Sequence, residues 1–598
     1  MVGKTVLKTS YWAAEAGQVR DITVCETLYH AAATVPGRLA LVDCGPDPAA
    51  RRQWTYAEFV AAAEQAARAL LARFSPGDRI AIWAPNSAEW VILQQGISLA
   101  GMVLVALNPA YRTREMGFVL RQSGAAGLFC VDTYRGFDTL AMAQAIAPGL
   151  PELREIVSLA TWDEFLASAD PGQELPQVAP TDMVQVQYTS GTTGFPKGAM
   201  LHHMGLVNEA TFVAERAGMS DGGVCINAMP MYHIGGGAVT SFGIWAKRGT
   251  FVILPGFEPG LLLEAFEAYR GTHTLVVPTM LIAMLDHPEL AKRDLSSLQT
   301  IMSGAASVPA SLVRRTIRLL GCQFSILFGQ TETHGVISQT RVTDTPEDQA
   351  DTVGQPLPQL EVKITDVGTG EPVPVGEQGE ICCRGYQNML GYYDMPAETA
   401  ATIDDDGWLH LGDIGSMDER GFLRVTGRVK DMIIRGGMNL YPAEIEAVLQ
   451  DHPAVETAAV IGVPDEKWGE QVAAVLRLRA DQGRPTAAEL TEFLRDQIAP
   501  HKVPVFWSFV EALPMTPTGK TQKFVLRQQA ADGTLTFDEA RPPKSADPLL
   551  PAPDALFGRG DSIARQRPMP DFVLCMDRAG SPSLAWASSA LSMRFPVI

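Results

Sequence analysis

Hydrophobic and polar residues alternate in the first part of the chain with the two periods expected of an α/β protein. Short apolar runs of strand length lie at 80–84 and 102–107, and a segment of helix length, 87–100, separates them. The same order recurs further on, with strands and helices predicted at 250–255, 259–270, 272–278 and 279–287. Apolar strands joined by helices are typical of a parallel sheet. The pattern therefore predicts parallel βα layers from about residue 80.

After about residue 355 the pattern changes to short alternating strands, with a tight turn at 418–421 that indicates antiparallel pairing. Beyond Arg428 a separate module is predicted. Its helix begins at Pro442 and ends before Pro453, and the remaining elements are strands at 454–463, 471–479 and 505–510 and a helix at 487–498. This segment is long enough for a small independent domain. Residues 541–598 are proline-rich at their start and have no sustained periodicity, which predicts a linker and a disordered tail.

Composition narrows the range of partners. The chain of 598 residues carries a formal net charge of −19, which argues against nucleic acid as a ligand. An anionic nucleotide would have to be held by local basic groups. The most apolar stretch, near 91–107, is interrupted by Gln94, Gln95 and Gly96 and is too polar to span a bilayer. The eight cysteines have neither disulfide nor zinc spacing, so we expect reduced thiols and a cytoplasmic location.

The run YTSGTTGFPKGAM at 188–200 carries the strongest chemical signal. Glycines let backbone N–H groups converge, hydroxyls add donors and Lys197 adds a point charge, which together favour a polyphosphate. The helix-capping P-loop pattern is absent, so we predict a loop between two strands. The alternative is a polar surface linker. The loop residues proposed to contact phosphate are Thr189, Ser190, Gly191, Thr192, Thr193, Gly194 and Lys197.

Four further charged residues could bind parts of a nucleotide together with such a loop. Glu332 in FGQTE could anchor Mg²⁺, which favours one or two carboxylates plus phosphate oxygens. Asp413 and Arg428 flank the predicted turn at 418–421 and could hold a ribose and a phosphate. Lys520 lies on a Pro-Thr-Gly turn. Taken singly, an aspartate or arginine such as Asp413 or Arg428 is more commonly part of a structural salt bridge, and a lysine on such a turn is usually only solvated.

Six motifs in the same order carry a resemblance to a known family. They are YTSGTTGFPKG, SGAASVP (303–309), FGQTE (328–332), GYYDMPAETAATIDDDGWLHLGD (391–413), GRVKDMIIRGGMNLYPAEIE (427–446) and PTGKTQK (517–523). Over roughly residues 25–530 the chain resembles the adenylate-forming superfamily of acyl-CoA synthetases, luciferases and peptide-synthetase adenylation domains. It looks most like medium- to long-chain fatty acyl-CoA synthetases.

The resemblance implies an α/β fold. A large multi-sheet N-terminal domain (1–427), with Rossmann-like βα layers and a β subdomain, would bind ATP and the acyl group. A small α+β C-terminal domain on a hinge (428–532) would be mobile. The chain beyond about residue 535 has no counterpart in the family, and 533–598 is predicted from its composition to be linker and disordered tail. It also implies an ATP-dependent ligase that forms acyl-AMP, releases pyrophosphate and transfers the acyl group to coenzyme A, with Mg²⁺ as cofactor.

The resemblance further implies roles for individual residues. Lys520, Glu332, Thr189 and His233 would be catalytic, with His233 at the mouth of the acyl pocket and Lys520 bridging carboxylate and α-phosphate. Asp413 and Arg428 would hold the ribose, and Lys430 the hinge. The nucleotide, acyl group and pantetheine would be contacted by Gly304, Ala305, Ala306, Phe328, Gly329, Gln330, Thr331, Gly436 and Gly437.

Several alternatives stay open at this point. A ligase that loads a carrier protein would keep every motif, and an aryl-CoA ligase is not excluded. If the family geometry holds, Gly235–Gly237, Gly304 and Gly329 would line a pocket without side-chain bulk, which favours fatty acids over acetate. Small-molecule substrates are the expected partners, and peripheral membrane contact and a homodimer are compatible with the sequence. Arg435 and Phe328 depart from the usual family residues.

Overall fold

The computed structural model describes residues 6–14, 18–189, 196–306, 308–436, 438–480, 482–515 and 521–539. The predicted tail lies outside these residues.

A first mixed sheet contains the parallel unit predicted near residue 80. Strands Arg79–Trp83 and Val103–Ala106 pair in parallel, and helix Ala88–Leu99 connects them. The helix begins where the Ser87 hydroxyl accepts the N–H of Trp90 (3.2 Å). The seven strands follow in the spatial order Gly391–Tyr392, Lys197–His202, Met183–Thr189, Val103–Ala106, Arg79–Trp83, Gly127–Cys130 and Glu155–Ser158.

A second sheet has a parallel centre and contains the strands predicted at 250–255 and 272–278. Its nine strands follow in the order Gln355–Pro356, Ser338–Gln339, Gln323–Phe328, Thr300–Gly304, His273–Val276, Val224–Asn227, Thr250–Ile253, Leu39–Asp43 and Arg52–Thr55. The α/β interpretation of the first part of the chain is confirmed.

The segment after residue 355 forms an antiparallel sheet, as predicted. Its strands are Tyr11–Trp12, Leu360–Thr365, Gly379–Gly385, Leu409–Met417 and Leu423–Arg428. The predicted turn closes with the N–H of Gly421 donating to the carbonyl of Asp418 (2.9 Å). Gly421 has a φ of +82°, and a Cβ there would lie 2.0 Å from the Trp12 ring, so only glycine fits.

The C-terminal module is a separate α+β layer. Its strands are Ile433–Arg435, Met438–Leu440, Val455–Asp465, Gly469–Leu478, Phe506–Phe509 and Asp538–Glu539. Helices Pro442–Gln450 and Ala487–Arg495 match the predicted ones, and helix Lys523–Ala531 follows the predicted Lys520 turn. A two-stranded ribbon, Thr133–Tyr134 and Phe137–Asp138, lies elsewhere on the chain.

Helices cover the faces of the two large sheets. The remaining α-helices are Val24–Thr34, Tyr56–Leu71, Thr113–Ser123, Thr139–Ile146, Trp162–Ala167, His203–Arg216, Ser241–Ala246, Pro259–Tyr269, Pro278–Leu285, Ala310–Leu320, Pro346–Asp351 and Pro396–Ala400. A π-helix spans Gly235–Thr240, and short 3₁₀ turns span Pro48–Ala50, Ala147–Gly149, Leu159–Thr161, Leu290–Lys292, Thr331–Thr333, Val429–Asp431 and Pro500–Lys502. Helix His203–Arg216 is buried along most of its length. It lies in the largest apolar core.

Candidate active site

The predicted phosphate loop joins two antiparallel strands. Thr189 ends the first strand and pairs directly with Lys197, which begins the second. The Thr189 hydroxyl donates to the carbonyl of Lys197 (3.4 Å). The hairpin therefore brings together the two ends of the loop, although Ser190, Gly191, Thr192, Thr193 and Gly194 lie outside the described residues.

Lys197 faces a tyrosine that links it to Glu332. The ammonium of Lys197 lies 4.9 Å from the ring centroid of Tyr392, a cation–π distance. The Tyr392 hydroxyl donates to Oε1 of Glu332 (2.8 Å), and Glu332 is only 7% exposed. Burial, reinforced by the charge of Glu332, raises the pKa of Tyr392, so its hydroxyl stays a donor at neutral pH. Tyr392 belongs to the motif at 391–413, but the motif alone predicts no role for it.

The FGQTE segment follows the parallel strand Gln323–Phe328 and places Glu332 in a short 3₁₀ turn. The side-chain amide of Gln330 donates to the carbonyl of Leu411 (3.3 Å), and the N–H of Met389 donates to the carbonyl of Glu332 (2.9 Å). These bonds tie the turn to the antiparallel sheet. Phe328 at the strand end is half-buried. The carboxylate of Glu332 thus has a fixed position next to Tyr392.

A buried histidine supports this turn from behind. His334 accepts the backbone N–H of His202 at Nε2 (3.0 Å), so its proton is on Nδ1, which donates to the carbonyl of Gln387 (2.7 Å). Burial lowers the pKa of His334 well below its usual value. Both ring nitrogens are therefore used to hold the chain two residues after Glu332. Sequence patterns gave no signal for this residue.

The neighbouring parallel strand ends at Gly304, and Ala305 and Ala306 follow it in exposed positions. Ala305 has a φ of +64°, which is unfavourable for a residue with a Cβ. Such strain concentrates at functional sites. The strand ends at Gly304 and Phe328 meet at one edge of the sheet, where parallel α/β sheets bind ligands.

Asp413 and Arg428 form a pair across two antiparallel strands. They are direct partners in the ladder, and Nε of Arg428 lies 2.7 Å from Oδ1 of Asp413. The Asp413 side chain is 4% exposed and that of Arg428 is 40% exposed. The carboxylate is therefore held from behind, while the guanidinium reaches the surface. The two residues that flank the predicted turn thus lie side by side, and their ligand stays a prediction.

His233 precedes the π-helix Gly235–Thr240, and its Nδ1 accepts the N–H of Gly235 (3.2 Å). The glycines of this helix do not leave empty space, contrary to the prediction. A Cβ on Gly236 would lie 2.5 Å from the carbonyl oxygen of Pro230, and one on Gly237 would lie 2.3 Å from that of Met231. Backbone atoms fill the volume that a side chain would take.

Gly304 and Gly329 are packed in the same way. A Cβ on Gly304 would lie 2.5 Å from the carbonyl oxygen of Leu327, and one on Gly329 would lie 2.4 Å from that of Gly335. These glycines permit close approach of neighbouring chain segments. The inference that they widen an acyl pocket is therefore wrong, and chain-length preference needs another basis.

The hinge segment is tied to the C-terminal module. Lys430 is exposed in the turn Val429–Asp431, yet the surrounding chain removes part of its hydration. This desolvation, followed by the charge of Arg428, lowers the pKa of Lys430. The next residue, Asp431, pairs with Arg527 (2.6 Å) in the helix that follows Lys520. Lys520 itself lies outside the described residues.

Gly436 makes a tight turn against Trp468. Its φ is +58°, its N–H donates to the carbonyl of Trp468 (2.7 Å), and a Cβ would lie 2.8 Å from the Trp468 ring. Arg435 also packs on Trp468, and it donates to Gln471 (2.7 Å) and to the carbonyl of His501 (3.0 Å). Arg435 therefore has a structural role within the module. Gly437 lies outside the described residues.

One cluster outside this region contains metal-ligand side chains. Ligand atoms of Glu380, Cys382 and His410 lie within 4.8 Å of one another. Nδ1 of His410 lies 2.9 Å from Glu380 and 3.5 Å from Cys382, and hydrogen bonds with Cys382 and Glu380 raise the pKa of His410 to about 10. These bonds account for the convergence. The seven described cysteines are free and buried, as expected of structural thiols.

Comparisons with known proteins agree with this geometry. A family model described as AMP-binding enzyme matches residues 28–393, and one described as AMP-binding enzyme C-terminal domain matches residues 444–520. The chain belongs to the AMP-binding enzyme family.

Its relatives are acyl-CoA synthetases and ligases. The chain is 37% identical over 540 residues to the putative acyl-CoA synthetase YngI of Bacillus subtilis (strain 168), covering 85% of this chain and 97% of the relative. It is 36% identical over 512 residues to the mitochondrial medium-chain acyl-CoA ligase ACSF2 of Danio rerio, covering 79% of this chain and 83% of the relative. Among solved structures, ATP-bound MatB from Rhodopseudomonas palustris matches this fold with a TM-score of 0.79 at 30% sequence identity. The match covers 86% of this chain and 99% of the MatB chain.

These comparisons confirm the predicted membership of the adenylate-forming superfamily and the predicted fold class. They also confirm that the protein is an acid–thiol ligase. The protein is an enzyme of a family that uses ATP. None of the helices within the described ranges is long and apolar enough to cross a membrane.

Proposed function

We propose that the protein activates medium- to long-chain fatty acids with ATP and transfers them to coenzyme A. The observation that carries the proposal is the contact chain from Lys197 through Tyr392 to the buried Glu332, next to the phosphate-loop hairpin. The ACSF2 relatives, named medium-chain acyl-CoA ligases, support the acid class. The close packing around Gly236, Gly237, Gly304 and Gly329 gives no support to this acid class.

The first half-reaction joins two anions. The substrate carboxylate attacks the α-phosphate of ATP, acyl-AMP forms and pyrophosphate leaves. Cations and N–H donors must neutralise the charge and align the reactants. We assign Thr189 and Lys197, with the loop residues 190–194, to the β- and γ-phosphates, Thr331 to the α-phosphate, and Asp413 and Arg428 to the ribose.

Glu332 fits a magnesium site because it is a single buried carboxylate with one oxygen fixed by Tyr392. Magnesium is usually held by one or two carboxylates plus phosphate oxygens. When bound, the ion would neutralise phosphate charge. Tyr392 would keep the Glu332 carboxylate oriented.

The second half-reaction breaks the acyl–phosphate bond as the CoA thiol attacks, and AMP leaves. We propose that the C-terminal module, residues 428–532, turns about Lys430 between the two steps, so that Lys520 serves adenylation and Gly436 and Gly437 line the path of the thiol. The ion pair of Asp431 with Arg527 supports a module that moves with its hinge segment. Residues 533–598 are proposed as linker and tail, and a cytoplasmic location stays a proposal.

A substrate panel tests the overall proposal. Acids from acetate through C14, with benzoate as an aromatic member, are compared by acid-dependent pyrophosphate release and by thioester formation. We expect C6–C14 acids to give the highest kcat/KM with CoA as acceptor. A higher kcat/KM for acetate or benzoate would refute the acid class, and transfer to an acyl carrier protein but not to CoA would identify the alternative ligase.

Glu332→Gln tests the metal assignment. The change keeps the shape and removes the charge, so adenylation at limiting Mg²⁺ should fall by roughly 30-fold or more, or about 2 kcal/mol. Glu347→Gln, at an exposed position of helix Pro346–Asp351, is the matched control. Unchanged adenylation by Glu332→Gln at limiting Mg²⁺ would remove Glu332 from the metal site.

The two lysines test the domain movement. Lys520→Ala should depress ATP–pyrophosphate exchange by roughly 10²-fold and spare thioester formation from supplied acyl-AMP. Lys430→Pro should do the reverse because proline fixes φ at the hinge. Lys430→Ala, which removes the charge but leaves φ free, is the control. Equal losses in both steps for Lys520→Ala would refute alternating positions.

A further inference from the structure

A buried carboxylate lies in the core of the large domain without a hydrogen bond. Glu209, in the middle of helix His203–Arg216, has an exposed fraction of 0%. Neither of its carboxylate oxygens has a hydrogen-bond partner among the described residues. The backbone N–H of Val336 is near enough to influence the group but does not form a bond of good geometry. Buried polar groups are almost always bonded, so this one needs an explanation.

Glu209 lies between the two segments that carry the assigned substrate-contacting residues. A Cβ placed on Gly335 would lie 3.2 Å from Oε1 of Glu209 and 2.9 Å from Cγ2 of Val239. Gly335 follows Glu332 by three residues, and Val239 belongs to the π-helix that follows His233. The carboxylate therefore lies where the proposed acyl mouth and the Glu332 turn come together.

A second polar group faces the same region without a partner. The hydroxyl of Tyr386 is buried and makes no hydrogen bond within the described part of the chain. Burial raises the pKa of Tyr386, and the charge of Glu209 adds to this effect, which indicates that the two groups are near neighbours. A carboxyl and a hydroxyl thus lie unpaired in the same part of the core.

We propose that Glu209 is a specificity-determining residue that accepts a hydrogen bond from a donor on the acyl group, a hydroxyl or an ammonium, beyond the reacting carboxylate. The inference rests on the proposed activation of an aliphatic acid. A plain hydrocarbon chain would leave Glu209 and Tyr386 unpaired, at a cost that a donor-bearing chain removes. Sites built to bond a substrate hydroxyl discriminate strongly against analogues that lack it.

The experiment compares matched acids in matched variants. Straight-chain acids of C6–C14 are paired with their counterparts carrying one hydroxyl or one amino group at successive positions, and pyrophosphate release gives kcat/KM for each. The measured quantity is the ratio of kcat/KM for the donor-bearing acid to that for the plain acid. It is determined for wild type, Glu209→Leu and Glu209→Gln. Glu215→Gln, at the exposed end of the same helix, is the control.

For at least one donor position we expect the ratio to fall by roughly tenfold or more in Glu209→Leu, with partial recovery in Glu209→Gln, which keeps an acceptor. The hydroxyl and amino series distinguish the two donors. The ratio is independent of how much of a variant is folded. If no donor-bearing acid shows a tenfold fall, Glu209 is a structural carboxyl and the inference is wrong. Failure of wild type to activate any acid in the panel would instead refute the proposed function.

Discussion

Replacement of Glu209 by glutamine should stabilise the protein increasingly as pH rises. Burial raises the pKa of the Glu209 carboxyl well above its usual value, so the folded protein keeps the proton. In the unfolded chain the carboxyl ionises near pH 4.5. A carboxyl with a raised folded pKa contributes stability below the unfolded pKa, and this is lost as pH rises towards the folded pKa. The loss is about 1.4 kcal/mol per pH unit while the unfolded carboxyl is ionised and the folded one keeps its proton.

The difference in free energy of unfolding between Glu209→Gln and wild type should therefore grow from pH 5 to pH 7, with a slope of about 1.4 kcal/mol per pH unit while the folded protein keeps the proton. Urea unfolding of both proteins at pH 5, 6 and 7 measures it, with Glu215→Gln as control. The packing cost of the new amide is the same at each pH and cancels in the comparison. A difference that stays constant with pH would show that Glu209 is ionised in the folded protein, and the argument from its burial would fail.

Three further predictions concern packing, acid stability and the tail. Gly237→Ala should lower the free energy of unfolding by about 3 kcal/mol in urea, because the new Cβ would meet the Met231 carbonyl. Gly37→Ala, where a Cβ would have no atom within 4 Å, should have little effect. Equal stability of the two variants would contradict the close packing at Gly237. Burial lowers the pKa of His273 to about 4, so the folded protein loses stability as pH falls below 6.5, where the unfolded chain takes up the proton. His273→Gln should reduce this loss by about 3 kcal/mol between pH 6.5 and pH 4 in urea unfolding. An unchanged dependence of stability on pH in this range would refute the prediction. Deletion of 541–598 should leave activity and melting temperature nearly unchanged, and loss of either would show that the tail docks on the enzyme.

Local patterns predicted much of this fold because strand and helix periods act over a few residues. The parallel strands Arg79–Trp83 and Val103–Ala106 and the turn at 418–421 are examples, because strand periodicity and turn chemistry both depend on neighbouring residues. The strands Ile433–Arg435 and Met438–Leu440 were missed. They are only three residues long, too short for a period to be recognised.

The candidate site was predicted only in part because its geometry depends on contacts distant in sequence. Tyr392 contacts Glu332 because its short strand pairs with the phosphate-loop hairpin, and no spacing in the chain reveals that. Glycine composition likewise cannot distinguish an open pocket from a close backbone contact, which is why Gly237 was misinterpreted. Glu209 had the appearance of an ordinary polar helix residue, and only its burial makes it unusual.

Charge gives these contacts their importance. The chain carries a formal net charge of −19, so its overall field opposes both a nucleotide and a carboxylate substrate. In the proposed site, binding would then depend on local cations, and two of these are held by different contacts: Lys197 lies on the Tyr392 ring and Arg428 pairs with the buried Asp413. Because Arg428 is paired with Asp413, the loss of the Asp413 carboxylate would release the guanidinium and leave its positive charge uncompensated. Asp413→Asn should therefore weaken nucleotide binding through a misplaced guanidinium, although the local potential becomes more positive, and a nucleotide-binding titration of the variant measures this.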